Sequence, residues 1–424
     1  MNNRRPIGID LFAGAGGLSL GFEQAGFDIA AAVEIDPIHC ATHEYNFPYS
    51  KTICASVSVL TGEEIRHRAN LGNTEIDVLF GGAPCQGFSM IGKRALDDPR
   101  NQLVFHYVRL VKELCPKYFV FENVKGLTLG KHAEFLDELI AALEGEGYEI
   151  LLPYRVLNAA DFGVPQDRRR LFLLGARRGY SIPKYPMPIN EKTTVWDAIG
   201  DLPDADRFDA LNVTDAVYAK WTTKAPYSRR LRCIDSDPLD FGYRRNFDTN
   251  LLSSSLRTRH TELSRSRFSG TAHGKTEPIS RFRKLPPDGL CNTLRAGTDS
   301  ARGAFTSPRP IHPFLPRVIT VREAARLHSY PDWFRFHSTK WHGFRQVGNS
   351  VPPLLARVVA REIVRSLELE PKRPSKSIQP GNTALLSLDM GAAADRFSVP
   401  KDTIAQRARK KNPKQLDLWM ETHV

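Results

Sequence analysis

A cysteine, a glutamate and a run of arginines stand where an α/β protein carries reactive groups. Cys85 lies in the segment Gly81–Ser89, directly after an apolar run at 76–80, and Glu122 directly follows a second apolar run at 118–121. The carboxyl ends of strands in an open α/β sheet are where ligands bind. A thiolate there can be a nucleophile and a carboxylic acid can donate a proton, although a lone cysteine is also common as a small buried residue.

The arginines precede a further apolar run. Arg168 and Arg170 belong to the segment Gln166-Asp167-Arg168-Arg169-Arg170, which leads into the run at 171–174. Taken singly, Glu122 could be a surface carboxylate, and the arginines could be a solvated turn that pairs with Asp167. Taken together with the thiol and a nucleoside site, these groups can attack, protonate and clamp a heteroaromatic ring.

A glycine-rich turn is the candidate nucleoside site. The segment Asp10–Gly17 reads Asp-Leu-Phe-Ala-Gly-Ala-Gly-Gly between a predicted strand and a predicted helix, so its backbone can approach a ligand closely. No Gly-Lys-Ser/Thr follows it, and Ser19 occupies the third glycine position of the dinucleotide fingerprint. The turn therefore matches neither phosphate-binding motif, and a tight turn that binds nothing is the alternative.

Glu34 favours a ligand that contains ribose. It ends the second predicted strand, 20 residues after Gly14, where a carboxylate can accept hydrogen bonds from both ribose hydroxyls. A ribose without a phosphate cradle suggests S-adenosyl-L-methionine. The alternative is a solvent-exposed carboxylate at the end of a strand.

The elements that would position these residues alternate between strand and helix patterns over residues 1 to about 180, as in a doubly wound α/β sheet. Predicted strands lie at 7–12, 29–33, 76–80, 118–121 and 171–174. The capping box Thr320–Glu323 predicts a helix that ends before Tyr330-Pro331, and Pro352-Pro353 opens a last strong helix.

Four segments follow from this pattern. We expect a catalytic and cofactor-binding domain over 1–185 and a smaller, irregular, β-containing domain over 186–300. Residues 301–370 would return to complete the first domain with the last helix. Residues 371–424 turn polar, with Arg-Ala-Arg-Lys-Lys at 407–411, and we expect them to be a flexible basic tail.

The charge distribution favours a polyanionic partner. The 424 residues carry a net charge of +12, and residues 221–285 alone hold 14 Lys/Arg against 6 Asp/Glu, with aromatic residues interleaved. Guanidinium groups suit forked contacts to phosphate and guanine, and aromatic rings can stack on bases. A solvated basic face is the alternative reading of the same charge.

Composition excludes several other classes of protein. No apolar run approaches the roughly 20 residues that span a bilayer, and the N-terminus has no signal-peptide pattern. The six cysteines show no C-x-x-C spacing, which argues against the usual zinc modules and a disulfide framework. We therefore expect a cytoplasmic protein without metal.

The ordered motifs resemble those of the cytosine-5 DNA methyltransferases of bacterial restriction-modification systems. The segments 10–17, 81–89 and 122–124 are similar to the family's cofactor, nucleophile and glutamate motifs. The segment 162–170 looks like its arginine motif, and 317–327 and 346–353 look like its last two. The order is the family's, and the variable stretch lies where the family carries its target-recognition region.

The resemblance implies an S-adenosyl-L-methionine site in a Rossmann-like domain. Phe12 would pack on the adenine, Glu34 would bind the ribose, and Asn349 and Ser350 would complete the site from the far end of the chain. Ser56 holds the place of an aspartate that often contacts the adenine amino group. The remaining cofactor residues implied are Ala13, Gly14, Gly16, Gly17, Ile35 and Pro84.

The resemblance also implies a reaction and a substrate. Cys85 would attack C6 of cytosine, Glu122 would donate to N3 from a raised pKa, and Arg170 with Arg168 would hold O2. The target base would be flipped out of duplex DNA, with 87–100 closing over it. DNA contacts are expected from Gln86, Ser89, Arg94, Gln166, Arg229, Arg230, Arg244 and Arg245.

Three other functions fit part of the pattern. A methyltransferase acting on cytosine in RNA would keep the same motifs, but the large basic insertion favours sequence readout on duplex DNA. A silent DNA-binding protein has no need of Cys85, Glu122 and the arginines, and a cysteine hydrolase would need a histidine in a pairing motif. We expect a monomer that acts on duplex DNA and is accompanied by a cognate restriction endonuclease.

Overall fold

The computed structural model describes residues 4–83, 102–189, 191–297 and 309–404. Its strands are β1 Ile7–Leu11, β2 Asp28–Glu34, β3 Lys51–Cys54, β4 Val78–Gly81, β5 Tyr118–Val124, β6 Tyr148–Ile150, β7 Arg155–Asn158, β8 Gln166–Asp167, β9 Arg169–Arg177, β10 Val217–Tyr218, β11 Arg244–Arg245, β12 Leu251–Leu252, β13 Cys291–Asn292 and β14 Ser377–Ile378. Its α-helices are α1 Gly17–Ala25, α2 Pro37–Asn46, α3 Gly62–Arg68, α4 Gln102–Leu114, α5 Lys131–Gly145, α6 Val195–Ile199, α7 Pro226–Leu231, α8 Glu262–Gly270, α9 Val321–Leu327, α10 Lys340–Asn349, α11 Pro353–Ser366 and α12 Met390–Phe397.

One sheet organises the molecule. Its strand order is β3-β2-β1-β4-β5-β9-β6, and β7 also pairs with β9. The strands from β3 to β5 are parallel, whereas β9 runs antiparallel to β5. The carboxyl ends of β1, β2, β4 and β5 therefore meet at one end of the sheet, and β9 begins there.

Alternate strand residues face two layers of helices. Leu79 and Phe121 pack in the cluster with α3, α4 and α5, whereas Phe80 and Val120 pack in the cluster with α1 and α11. Helices α1 and α11 can approach closely because Gly21 has no side chain, and a Cβ there would collide with Ala356. The predicted doubly wound α/β class is confirmed by this arrangement.

Most predicted elements coincide with the observed ones. The runs at 29–33, 118–121 and 171–174 lie inside β2, β5 and β9, and the run at 76–80 begins later, at Val78. The first strand stops at Leu11 because Phe12 adopts a left-handed conformation with φ +61° and turns the chain into the glycine loop. Helix α9 begins after the capping box formed by Thr320 and Glu323, as the sequence predicts.

The region that contains α6 to α10 is irregular, and its main buried cluster also includes Leu20 of α1 and Phe47. Leu231, Phe334 and Phe344 lie in one buried cluster that joins segments on both sides of residue 300. Arg326 crosses this core and pairs with Asp332 at 2.6 Å. The domain boundaries at 185, 300 and 370 stay predictions.

The expectation of a flexible tail from residue 371 is wrong for the part of it that the structure describes. Residues 377–397 contain β14 and α12, and Leu385 and Leu386 pack against Ala41 and Tyr45 of α2. The polar composition of the segment predicted flexibility, but these two leucines give it a buried contact. Residues 405–424, which hold the basic run at 407–411, lie outside the described residues.

Arg245 is a structural residue, which corrects its assignment as a DNA contact. Strand β11 pairs with β14, and the Arg245 side chain points into the fold beside α1. Its guanidinium pairs with Glu23 at 2.8 Å, and the two side chains are 0% and 1% exposed. A guanidinium enclosed in this way has no face left for a phosphate or a base.

Arg245→Ala is expected to lower the free energy of unfolding by about 3–5 kcal/mol, because it leaves the Glu23 carboxylate buried without its partner. Arg244→Ala is the matched control, since Arg244 is the exposed neighbour on the same short strand and should change stability by no more than about 0.5 kcal/mol. Guanidinium chloride unfolding of both variants measures the difference. Equal stability of the two variants would contradict a structural role for Arg245.

Candidate active site

The glycine loop and the end of β2 are joined through Glu34. The Gly14 N–H donates to one Glu34 oxygen at 2.9 Å, and the N–H groups of Ile35 and Asp36 donate to the other at 3.0 and 2.9 Å. Gly14 and Gly16 have φ values of +57° and +102°, which explains the need for glycine at both positions. The carboxylate that was predicted to bind ribose is thus fixed at the mouth of the loop.

The far end of the chain returns to the same loop. A Cβ on Gly17 would lie 2.7 Å from Ser350 Cβ and 2.6 Å from the Val351 carbonyl oxygen. Asn349 ends α10 and is exposed. Asn349 and Ser350 therefore lie beside the glycine loop, although more than 300 residues separate them in the sequence.

The flank expected to hold an adenine is formed by the segments that follow β2 and β3. Ile35 is 39% exposed directly after Glu34. Ser56 follows β3, where the Ala55 N–H donates to the Glu34 carbonyl oxygen at 2.9 Å. The Ser56 hydroxyl contacts the Ser58 hydroxyl at 2.7 Å, so it has a local partner in this structure.

Glu122 and Arg170 form an ion pair at the end of β5. Arg170 Nε lies 2.9 Å from Glu122 Oε1, and the two side chains are 11–12% exposed. Antiparallel pairing of β5 with the start of β9 brings the two residues together. Burial raises the pKa of Glu122 above its ordinary value, while the charge of Arg170, and then that of Arg168, acts in the opposite direction. A raised pKa is what a carboxyl group needs if it is to donate a proton.

The chain that leads to Cys85 is held against Glu122. A Cβ on Gly82 would collide with Glu122 Oε2, so a larger residue there would displace the carboxylate from its present position. Asn123 then donates to the Ala83 carbonyl oxygen at 3.0 Å, immediately before Pro84 and Cys85 in the sequence. Pro84, Cys85, Gln86, Ser89 and Arg94, together with the rest of the expected lid at 87–100, lie outside the described residues.

Asn123 is a contribution that the sequence analysis missed. Asn123 follows Glu122 directly in the segment 122–124. This position next to a candidate catalytic residue was the only sequence signal for its role. In β5, successive side chains point to opposite faces, so Glu122 and its neighbour serve different purposes. Glu122 faces Arg170, and Asn123 fixes the entry to the segment that carries the cysteine.

Arg168 was predicted to hold the O2 oxygen of the base together with Arg170, but its surroundings are different. Its side chain is fully buried and donates to the carbonyl oxygens of Leu294, Gly348 and Ser350 at 2.7, 2.8 and 2.7 Å. Three main-chain acceptors satisfy most of its donors, so Arg168 braces the site, whereas Arg170 is the arginine that reaches Glu122.

Gln166 is also buried, which corrects its assignment as a DNA contact. Its amide nitrogen donates to the Leu327 carbonyl oxygen at 3.1 Å, and its amide oxygen accepts from the Leu294 N–H at 3.1 Å. A side chain with no exposed surface cannot reach a duplex without unfolding its surroundings. Gln166 instead joins β8 to the segments at 294 and 327.

The predicted basic contacts are mostly held by carboxylates. Arg229 pairs with Asp235 at 2.6 Å, and Arg230 lies 3.4 Å from Glu191. Arg244 is exposed on β11. Among the described residues, none of these three arginines contacts Glu122.

A buried polar chain lies beneath the glycine loop. The Ser19 hydroxyl donates to Asp10 at 2.6 Å and lies 3.1 Å from His43 Nε2. Burial raises the pKa of Asp10 to about 8 and lowers the pKa of His43 to about 3. These groups link β1, α1 and α2, and the sequence gives no spacing signal that connects Asp10 with His43.

Neither a membrane-spanning helix nor a metal site is found in the described part of the chain. None of its helices is both long and apolar enough to cross a bilayer. No group of three His, Cys, Asp or Glu side chains among the described residues is placed to hold a metal ion.

Comparison with known proteins gives a family and bacterial relatives. The model of the family C-5 cytosine-specific DNA methylase matches residues 8–365. The Type II methyltransferase M.XorII of Xanthomonas oryzae pv. oryzae is 64% identical over 405 residues, which cover 96% of this chain and 95% of that protein. The Type II methyltransferase M1.HphI of Haemophilus parahaemolyticus is 35% identical over 361 residues, 84% of this chain and 86% of that protein.

Solved structures share the fold. A protein of E. coli described as a prophage-encoded DNA modification methyltransferase superposes with a TM-score of 0.72 at 37% identity, over 86% of this chain and 99% of its own. The S. pombe Dnmt2 methyltransferase gives a TM-score of 0.54 at 17% identity over 86% of this chain and 99% of its own, a likeness of fold alone.

Arg170→Ala is expected to raise the pKa of Glu122 further, because the variant removes the nearest charge that favours the carboxylate and leaves the burial that disfavours it. Infrared difference titration, with Glu122→Gln used to assign the carboxyl band, measures that pKa. Arg169→Ala is the matched control, since the Arg169 side chain is 55% exposed and paired with Asp167 instead. An unchanged or lower pKa in Arg170→Ala would show that the ion pair does not control Glu122.

Proposed function

The chain belongs to the C-5 cytosine-specific DNA methylase family, and from this premise we propose how it acts. It transfers a methyl group from S-adenosyl-L-methionine to C5 of a cytosine within a specific duplex DNA sequence. The observation that carries the proposal is the meeting of three elements at one end of the sheet: the Glu122–Arg170 pair, the glycine loop with Glu34, and the anchored entry to the cysteine segment.

The residues of the glycine loop fit S-adenosyl-L-methionine. Backbone N–H groups use three of the roughly four lone-pair sites of the Glu34 carboxylate, so Oε2 keeps one that can accept from a ribose hydroxyl. Phe12 and the partly exposed Ile35 flank the position of an adenine, and Asn349 with Ser350 closes the opposite side. When bound, this cofactor supplies an electrophilic methyl group.

The chain's own residues make the cytosine reactive. C5 of cytosine is a poor nucleophile, and addition of the Cys85 thiolate to C6 forms a C–S bond that turns the ring into an enamine. Glu122 donates its proton at N3, so the charge that develops on the ring is neutralised as the bond forms. After C5 carries the methyl group, a water molecule accepts the C5 proton and the C–S bond breaks, so that Cys85 leaves as the thiolate. N3 then returns its proton to Glu122.

The two arginines have separate roles in this proposal. Arg170 holds the O2 oxygen of the base while its charge tunes Glu122, and a carboxylate–guanidinium contact of 2.9 Å fixes both side chains for that purpose. Arg168 is a positioning residue, because its two terminal nitrogens donate to the carbonyl oxygens of Leu294, Gly348 and Ser350. A base inside a duplex cannot reach such a pocket, so the target cytosine is flipped out.

The biological setting proposed is restriction and modification. The relatives M.XorII and M1.HphI are named as Type II methyltransferases. By extension, methylation by this chain protects the host genome from an endonuclease that cuts the same sequence, and such an endonuclease is its expected genetic partner.

Bisulfite sequencing of genomic DNA from cells that express the protein tests the reaction. Wild type is expected to protect one cytosine in a recurring sequence, and Cys85→Ala is expected to protect none because no enamine can form. Glu122→Gln is expected to slow single-turnover methylation by a factor on the order of 100 to 10,000.

Two outcomes would oppose the proposal. Retained methylation by Cys85→Ala would remove the nucleophile from the mechanism, provided that thermal melting shows the variant to be folded. Methylation of transfer RNA in place of duplex DNA by the purified wild type would assign the enzyme to a different substrate.

A further inference from the structure

The basic window at 221–285 separates into arginines that are neutralised within the fold and cations that are not. Arg229 pairs with Asp235, Arg245 with Glu23 and Arg265 with Asp206, each at less than 3 Å. Among the described residues, three cations close together in sequence form no ion pair: Lys275, Arg281 and Arg283. Lys224, Arg244 and Arg259 are also exposed and form no ion pair within the described part of the chain, but they are isolated in the sequence, whereas residues 275–283 hold three such cations within nine residues.

That segment is a tight hairpin, here called the hairpin 274–284. The Gly274 N–H donates to the Lys284 carbonyl oxygen at 2.8 Å, and the Lys284 N–H donates to the Lys275 carbonyl oxygen at 2.9 Å. Between these bonds Thr276 lies opposite Arg283 in an antiparallel bridge. The hairpin therefore has the narrow two-stranded shape that the major groove of DNA admits.

A buried carboxylate fixes the tip of the hairpin 274–284. Glu277 is 2% exposed, and its oxygens accept from the N–H groups of Ile279 and Ser280. The Arg281 N–H donates to the Glu277 carbonyl oxygen at 2.9 Å, which holds Arg281 at a φ of +58°. A tip whose main chain is already ordered loses little conformational entropy when it binds.

The base of the hairpin is anchored to the body of the recognition region. Lys284 is buried and donates to the carbonyl oxygens of Phe268 and Ser269 at 3.0 and 3.2 Å, at the end of α8. Phe282 packs against a buried cluster that includes Phe268 and Ile311. Only the tip is left to make new contacts.

The tip exposes a combination of side chains that suits base edges. Ile279 is 69% exposed, and Arg281 and Arg283 are exposed beside it. A guanidinium can donate two parallel hydrogen bonds to guanine O6 and N7, and an aliphatic group can contact the methyl group of thymine. Ile279 thus offers the aliphatic group, and the two arginines the donor pairs, that contacts to base edges require.

The hairpin is also joined to the catalytic end of the sheet. The chain runs from Lys284 to β13, which pairs with β8, and the Cys291 N–H donates to the Pro165 carbonyl oxygen at 2.9 Å. Leu294 then accepts from Arg168. Because the segment 284–294 is short and hydrogen-bonded at both ends, it fixes the distance between a base read by the hairpin and the cytosine bound at Glu122.

Resting on the proposed function, we infer that the hairpin 274–284 enters the major groove of the target duplex. Ile279 and Arg281 at its tip are then specificity-determining residues that contact base edges, and Lys275 and Arg283 contact the flanking phosphates. Sequence readout therefore comes from this hairpin, whereas Arg245 stabilises the fold and Arg229 and Arg230 pair with carboxylates at the surface.

The experiment compares Ile279→Ala, Arg281→Ala and Arg281→Lys with the wild type. The matched control is Arg178→Ala, an exposed arginine that follows β9 at the opposite end of the sheet from Glu122. Single-turnover methylation is measured on the duplex that bisulfite sequencing identifies and on duplexes with one substituted base pair. Thermal melting and S-adenosyl-L-methionine affinity are measured in parallel.

We expect both alanine variants to methylate the target about 10- to 100-fold more slowly and to discriminate less against one substituted base pair. Arg281→Lys should resemble Arg281→Ala, because lysine keeps the charge but lacks the fork. Melting, cofactor affinity and the Arg178→Ala control should match the wild type.

Wild-type rates and an unchanged site profile in Ile279→Ala and Arg281→Ala would overturn the inference, as would full discrimination by Arg281→Lys. These outcomes leave the proposed function standing, because the wild type would still methylate its site. If the wild type itself methylates no duplex DNA, the proposed function fails first, and this result is seen before any variant is tested.

Discussion

A carboxyl group kept in a partly dehydrated position at the end of β5 is the constraint on which the other features depend. In the proposed mechanism Glu122 must be able to hold a proton near neutral pH, and burial favours this while Arg170 at 2.9 Å limits it. The antiparallel strand β9 supplies Arg170 at this point, and Gly82 lets the neighbouring chain pass against the carboxylate. The site therefore needs a strand of reversed direction beside β5, and the sheet has one.

The same constraint explains why the segment near residue 350 packs against the glycine loop near residue 17. A site that acts on a flipped base needs the cofactor loop, the glutamate and the recognition region in fixed relation. Arg168 provides this by donating to carbonyl oxygens of segments near residues 294 and 350, at 2.7–2.8 Å. Ser350 in turn lies against Gly17, so one buried guanidinium links the segment near residue 294 to the glycine loop.

The sequence predicted the central sheet and assigned the glycine loop and Glu34 to one cofactor site, because strand runs, turn glycines and the spacing between them are local signals. It did not predict which arginines are buried, because their partners lie in distant segments. Arg245 pairs with Glu23, and Arg168 donates to carbonyl oxygens near residues 294 and 350. Net charge likewise could not separate the paired Arg229 from the unpaired Arg281. The packing of Leu386 on α2 was missed because a short pair of leucines in a polar segment has no periodicity.

The most direct measurement is to trap the covalent step. The protein is incubated with S-adenosyl-L-methionine and a target duplex that carries 5-fluorocytosine at the methylated position, where the fluorine cannot leave as a proton does. The account predicts a stable adduct, and peptide mass spectrometry should locate it at Cys85. A protein that methylates the unmodified duplex but forms no adduct, or forms it at another side chain, would contradict the account.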